Sequence, residues 1–200
     1  MKNTKFRLLT LGFTSLLLLG SANAATIAQF DLGESNALGW TLITPSSLSG
    51  TNNGVTLTVA ADSGNAIDSR NRETGDDITE DFLFNNATIS FTFTNLAASQ
   101  EYEFLTYAYE DLPLGNDVGS WYVGSVAPEN LQFVHNSASN STTPFSLTGT
   151  SDANGELQIF VERTGGNNNR ANGFEVVLIP EPSTALLGGL GLLALLRRRR

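Results

Sequence analysis

The sequence predicts an all-β fold, a single antiparallel β-sandwich of jelly-roll type. Three observations point there. Apolar and polar residues alternate with period two along several short stretches, as in Ile89, Phe91 and Phe93 against Ser90, Thr92 and Thr94. Asn, Gly, Asp and Ser break the chain between these stretches. Away from the two chain ends, no segment sustains the 3.6-residue spacing of an amphipathic helix.

Taken in order, strands are expected at residues 26–32, 38–43, 55–60, 87–95, 101–109, 121–126, 130–135, 145–150, 156–163 and 173–179. Leu157, Ile159 and Val161 alternate with Gln158 and Glu162, leaving Phe160 on the polar face. The short linker at 96–100 joins two strongly apolar strands, so 87–109 is expected to form a central hairpin with Phe91 in the core. Asp152-Ala153-Asn154-Gly155 is a turn, because Asn-Gly readily supplies positive φ. Residues 165–169, Gly-Gly-Asn-Asn-Asn, form a looser break.

The strands lie between two segments of different character. Lys2, Lys5 and Arg7 precede an apolar stretch at 8–20, and Ala22-Asn23-Ala24 offers a small-x-small cleavage site. Residues 1–24 therefore read as a signal peptide helix, with Ala25 the first residue of the mature chain. At the other end Pro180, Glu181 and Pro182 stop the last strand. An uncharged apolar run follows at 183–196, and Arg197, Arg198, Arg199 and Arg200 close the sequence. As a helix, fourteen apolar residues span about 21 Å, against about 30 Å of hydrocarbon, which suits transient insertion better than a permanent anchor. Terminal arginines favour the cytoplasmic side and place the preceding domain outside.

This Pro-Glu-Pro triplet, apolar helix and basic cluster resemble the PEP-CTERM sorting signal of exported bacterial proteins. The resemblance implies export through the inner membrane, handover to a membrane cysteine peptidase of the exosortase type, and delivery to the cell surface or extracellular matrix.

Residues 25–179 are the length of one domain. They hold nineteen carboxylates, four arginines and no lysine, a net charge of −15 hidden inside the −9 of the whole chain. Such a surface repels nucleic acid, and neither it nor anionic lipid is an expected partner of the domain. Cysteine is absent, which removes thiol catalysis and thiolate metal sites. His135 is the single histidine and sits in a strand pattern, so it reads as structural or surface-exposed and not as catalytic.

A second resemblance rests on the turn at 151–156, the strand at 157–161 and the closing Ala171-Asn172-Gly173-Phe174-Glu175-Val176. Together they resemble malectin-like and galactose-binding-like jelly rolls.

Three residue sets could carry chemistry. Trp40, Tyr107, Tyr109, Trp121 and Tyr122 include rings on which sugar C–H faces could pack, although core packing accounts for most of them. Trp121 and Tyr122, beside the loop at 115–119, are the expected exposed pair. Asp76, Asp77, Glu80 and Asp81 form an acidic run of oxygen ligands suited to a structural calcium, although solvated loop residues would look the same. Carboxyl pairs of the glycosidase kind are unavoidable among nineteen acids and carry no motif. The expected function is thus a non-catalytic structural or carbohydrate-associated sandwich, with extracellular polysaccharide as partner and no required cofactor. The alternatives are a calcium-dependent adhesive module and a polysaccharide-active hydrolase. Asn86 and Asn140 each open an Asn-x-Ser/Thr triplet, a short and weak signal.

Overall fold

The computed structural model describes residues 24–71, 78–109, 117–136 and 142–180. The expected signal helix with Ala22, the C-terminal helix, Glu181, Pro182, the four terminal arginines, Asp76 and Asp77 lie outside them. Among the described residues the chain is β throughout, apart from two single 3-10 turns, and no helix is long and apolar enough to cross a membrane.

The strands are β1 (Ala25–Leu32), β2 (Thr41–Ile43), β3 (Ser49–Asn52), β4 (Val55–Ala61), β5 (Asp68–Asn71), β6 (Asp81–Asn85), β7 (Ile89–Thr94), β8 (Glu101–Tyr107), β9 (Val118–Val123), β10 (Leu131–Asn136), β11 (Phe145–Thr150), β12 (Leu157–Gly165), β13 (Asn169–Ala171) and β14 (Gly173–Leu178). They form a five-stranded sheet in the order β11-β8-β14-β1-β2 and a six-stranded sheet in the order β10-β9-β12-β7-β4-β3. A small third sheet, β13-β6-β5, completes the fold. All pairs are antiparallel except β1 with β2.

The sandwich closes on aromatic rings because the inner positions of both sheets carry them. Phe91, Phe93 and Trp121 come from the six-stranded sheet and Phe30, Phe104 and Phe174 from the five-stranded one, all fully buried. Phe91 meets Phe174, and Phe93 meets Phe104, with ring centroids 4.8 Å apart in both cases. Such contacts contribute about 0.5–1.5 kcal/mol each beyond burial. Along one edge Phe133 stacks on Phe145 at 4.0 Å. Beside them the Gln132 amide exchanges two bonds with the backbone of Thr148, at 2.5 and 2.7 Å, tying β10 to β11 across the sheets.

The expected hairpin at 87–109 is corrected. β7 pairs with β12 and β4, whereas β8 pairs with β11 and β14, so residues 95–100 cross from one sheet to the other. Both strands present apolar inner faces because they meet across the core, not along a ladder. The Asp152–Gly155 turn forms, with Gly155 at φ 75°, but it too passes between sheets. Here Gly155 lies on the Leu96 carbonyl so closely that any side chain would overlap it.

Pairing of Ala25 with Leu178 brings the start of β1 and the end of β14 side by side. The chain therefore enters and leaves the domain at one end, the exit end, together with the connections at 95–100 and 151–156. Asp31 and Gly173 mark the opposite loop end, where the small third sheet lies.

Candidate functional sites at the loop end

The expectation that Trp121 and Tyr122 stand exposed is corrected by the register of β9. Trp121 pairs with Val161 and Phe133, faces inward, and stacks on Phe91 at 5.8 Å, so neither ring face reaches solvent. Tyr122 points out of the same sheet but is only 7% exposed, with Phe160 and Leu131 opposite it on either side. Burial and the adjacent Glu162 carboxylate raise its phenol pKa.

The half-buried aromatic pair is Trp40 and Tyr107, on the outer face of the five-stranded sheet, their centroids 5.9 Å apart in an edge contact. Gly173 makes room for it: a Cβ there would lie 3.2 Å from the Trp40 ring. The Tyr107 hydroxyl donates to one Glu175 oxygen at 2.8 Å and the Gln29 amide donates to the other at 3.3 Å. Asn52 accepts the Gln29 N–H and donates to Thr41, extending the polar rim. Tyr109, also half-buried, is held through its backbone N–H on Asn172.

Of the acidic run, Glu80 and Asp81 are described, and the structure adds a carboxyl that the sequence reading missed, Asp31. One oxygen of Asp81 accepts from the N–H groups of Glu34 and Ser35 and from the Ser35 hydroxyl, which also reaches Glu80 at 2.5 Å. Gly33 is obligatory, because a side chain there would fall on the Asp81 carboxyl. Asn172 fastens the cluster, donating to the Asp81 carbonyl at 2.7 Å. Asp31 accepts the Ala37 N–H at 2.7 Å through one oxygen. Both aspartates are fully buried, and the second oxygen of each has no partner. Burial, reinforced by Asp81 and Glu80, raises the Asp31 pKa to about 7. Asp31 can hold a proton here, and the bare oxygens of the two carboxyls are of the kind that a hard cation takes. Among the described residues no three acidic or histidine side chains are grouped to hold a metal, so any ion would need backbone or hydroxyl oxygens as further ligands. The signal for Asp31 was its place inside an apolar strand, between Phe30 and Leu32.

His135 faces inward opposite Gly119, and its Nε2 has no partner. Burial lowers its pKa to about 4, with Asp117 pulling weakly the other way. Nearby, Trp121 Nε1 and Asn169 Oδ1 are also unpartnered, and a buried ion pair joins Arg170 to Asp117. The Arg170 guanidinium sits 5.6 Å from the centre of the Phe82 ring.

Comparison with known proteins separates the tail from the sandwich. Residues 178–200 match the PEP-CTERM protein-sorting motif, which exosortase recognises, so the chain carries an export and surface-sorting signal. No curated protein matches the chain by sequence. The fold is similar to that of protein YXIM from Bacillus subtilis, with TM-score 0.51 and 12% identity over 80% of this chain and 41% of that one. The ANX1 ectodomain from Arabidopsis thaliana aligns at TM-score 0.48 and 13% identity, over 80% of this chain and 52% of its own. The CBM22-1 xylan-binding domain of Paenibacillus barcinonensis Xyn10C aligns at TM-score 0.38 and 13% identity, over 78% of this chain and 96% of that one. The chain spans about half or less of the length of the first two.

Proposed function

We propose that this exported protein is a non-catalytic module that holds extracellular polysaccharide at the cell surface through the Trp40–Tyr107 face. The observation that carries the reading is the combination on that face: two half-exposed rings beside a carboxylate and amides already oriented by each other. Sugar rings need an apolar plane for their C–H faces and fixed donors and acceptors for their hydroxyls. A glycan array probed with the full chain tests it. Expected is retention on at least one polysaccharide, weakened about tenfold or more by Trp40→Ala, with no release of reducing ends. No binding, or unchanged binding by the variant, overturns the reading. The sorting half has its own check. Intact mass should show loss of Arg197–Arg200 in cells that hold the membrane peptidase, and retention there would refute processing.

A second reading is favoured by the bare oxygens of Asp31 and Asp81, which suit a calcium ion that stiffens the loop end. Binding to the native state alone must stabilise it, by about 1.4 kcal/mol at tenfold excess over Kd, or about 3–6 °C in a domain of this size. Millimolar calcium against EDTA should raise the melting temperature by that much, and Asp31→Asn should abolish the rise. An unchanged melting temperature removes the ion.

A further inference from the structure

At the loop end, where β5 and β6 run out beside the turn that follows β12, the surface opens into a cavity of about 300 Å³ whose walls are mostly asparagine. Asn65, Asn85, Asn86 and Asn168 line it with Phe84 and Asp68. Asn85 is the scaffold. It is buried, donates to the Ala66 carbonyl at 2.8 Å and accepts the Ala87 N–H at 2.8 Å, and so fixes the rim at 65–66 against the end of β6.

Asn65 donates to Asn86 at 3.1 Å. That bond leaves the Asn65 carbonyl oxygen and the Asn86 amino group outside it, an acceptor and a donor carried by two residues of the lining. Among the described residues the Asn168 side-chain amide has no hydrogen-bond partner, so it brings both kinds of group to the lining. Phe84 supplies an apolar wall, its ring oriented by the Arg70 guanidinium 4.8 Å from its centre. Asp68 is the single charged residue on the lining.

This chemistry selects its ligand. An anion would meet Asp68 and a strongly acidic domain with no cation on the lining to offset either. A purely apolar molecule would strip water from several amides and leave them unpaired. A neutral hydroxyl-rich molecule satisfies every wall: each hydroxyl both donates and accepts, and its C–H face packs on Phe84. At the small end of the usual range for ligand pockets, the cavity suits one sugar ring with any remaining chain outside. We infer that the asparagine-lined pocket is a binding site for an uncharged sugar residue, separate from the Trp40–Tyr107 face. It extends the carbohydrate reading but uses different residues, so the two can fail independently.

Saturation-transfer NMR on the full chain in detergent micelles provides the test, because it detects weak binding. The probes are glucose, galactose, mannose and N-acetylglucosamine, with galacturonate as the charged counterpart. At least one neutral sugar should saturate, galacturonate should not, and Asn168→Ala and Asn86→Leu should each weaken binding about tenfold while Trp40→Ala leaves it intact. Asn168→Ala decides the matter should Asn86→Leu fail to fold, since the Asn168 amide holds nothing in place. The pocket is overturned if no neutral sugar binds, if galacturonate binds as well, or if Asn168→Ala binds like the parent. Loss with Trp40→Ala alone would overturn the pocket while leaving the sheet-face reading standing.

Discussion

The two ends of the sandwich are built to different standards of hydrogen bonding. At the exit end the polar groups pair off. The buried Ser151 hydroxyl donates to the Ala97 carbonyl at 2.6 Å and accepts the Gln100 N–H at 3.1 Å. Tyr102 accepts the Ala97 N–H, and Asp152 gathers the N–H groups of Asn154 and Glu156, which lower its pKa. At the loop end lie Asp31, Asp81, His135, Asn169 and the Trp121 indole, each with a buried polar atom that has no partner. Native proteins leave few such atoms, and each costs about 1–3 kcal/mol. The contrast teaches where substitutions will separate the two ends: polar groups at the exit end are tied to one another, whereas the loop end holds buried polar atoms with no partner among the described residues.

The largest perturbation erases the contrast. Phe91→Asp puts an unpaired charge into the core that both ends share, and should cost more than about 4 kcal/mol, seen as loss of the cooperative melting transition. An unchanged melting temperature would show that Phe91 is not the common support.

Acid should then separate the groups within the loop end. His135, with its pKa lowered to about 4, binds fewer protons folded than unfolded, so it removes stability as pH falls from 6.5 towards 4. Asp31, raised to about 7, binds more protons folded than unfolded, so its contribution is fully present below its ordinary 3.8 and lost as pH rises through 7. The two oppose each other across mildly acid pH. Relative to the parent, His135→Gln should gain about 3 kcal/mol between pH 6.5 and 4. Asp31→Asn should gain a similar amount, about 4 kcal/mol, as pH rises from 4 to 7. Melting curves against pH in EDTA measure both, and parallel curves for parent and variants would refute the assignments.

The smallest effect belongs to the exit end. Ser151→Ala should cost about 2 kcal/mol by orphaning two backbone groups, with sugar and calcium responses unchanged. A change in either response would mean that the ends are coupled.

Long alternating strands were legible in the sequence. Residues 89–94 and 157–161 declare their inner faces, and Phe91, Phe93, Ile159 and Val161 are all buried. The strands at 49–52, 68–71 and 169–171 were missed because three or four mostly polar residues carry no period, and the one at 81–85 because its Phe-Leu-Phe run between two polar ends does not alternate. The linker at 95–100 reads the same whether it folds back within a sheet or crosses between two, since only distant pairing decides. Trp121 and Tyr122 were misjudged because the Ser-Trp-Tyr-Val segment is apolar on both faces of β9. At the candidate sites, Glu80 and Asp81 were named from the sequence, whereas Trp40 and Tyr107 belonged to an aromatic set that reads mostly as core. Asp31 and the meeting of Asn65, Asn86 and Asn168 depend on contacts between residues far apart in the chain.

The position of β14 has a mechanical consequence. It lies inside the five-stranded sheet, with six residues paired to β1 on one side and to β8 on the other, and its last residue leads straight into the sorting tail. In the proposed role, with the tail held and a polymer bound at the loop end, the load would run along the strand axis. Both hydrogen-bonded ladders must then yield together in shear, whereas a tail leaving an edge strand sideways would peel it off one bond at a time. Forced unfolding is governed by the rate of that first rupture, so pairing the strand next to the tail on both sides would slow its extraction under load.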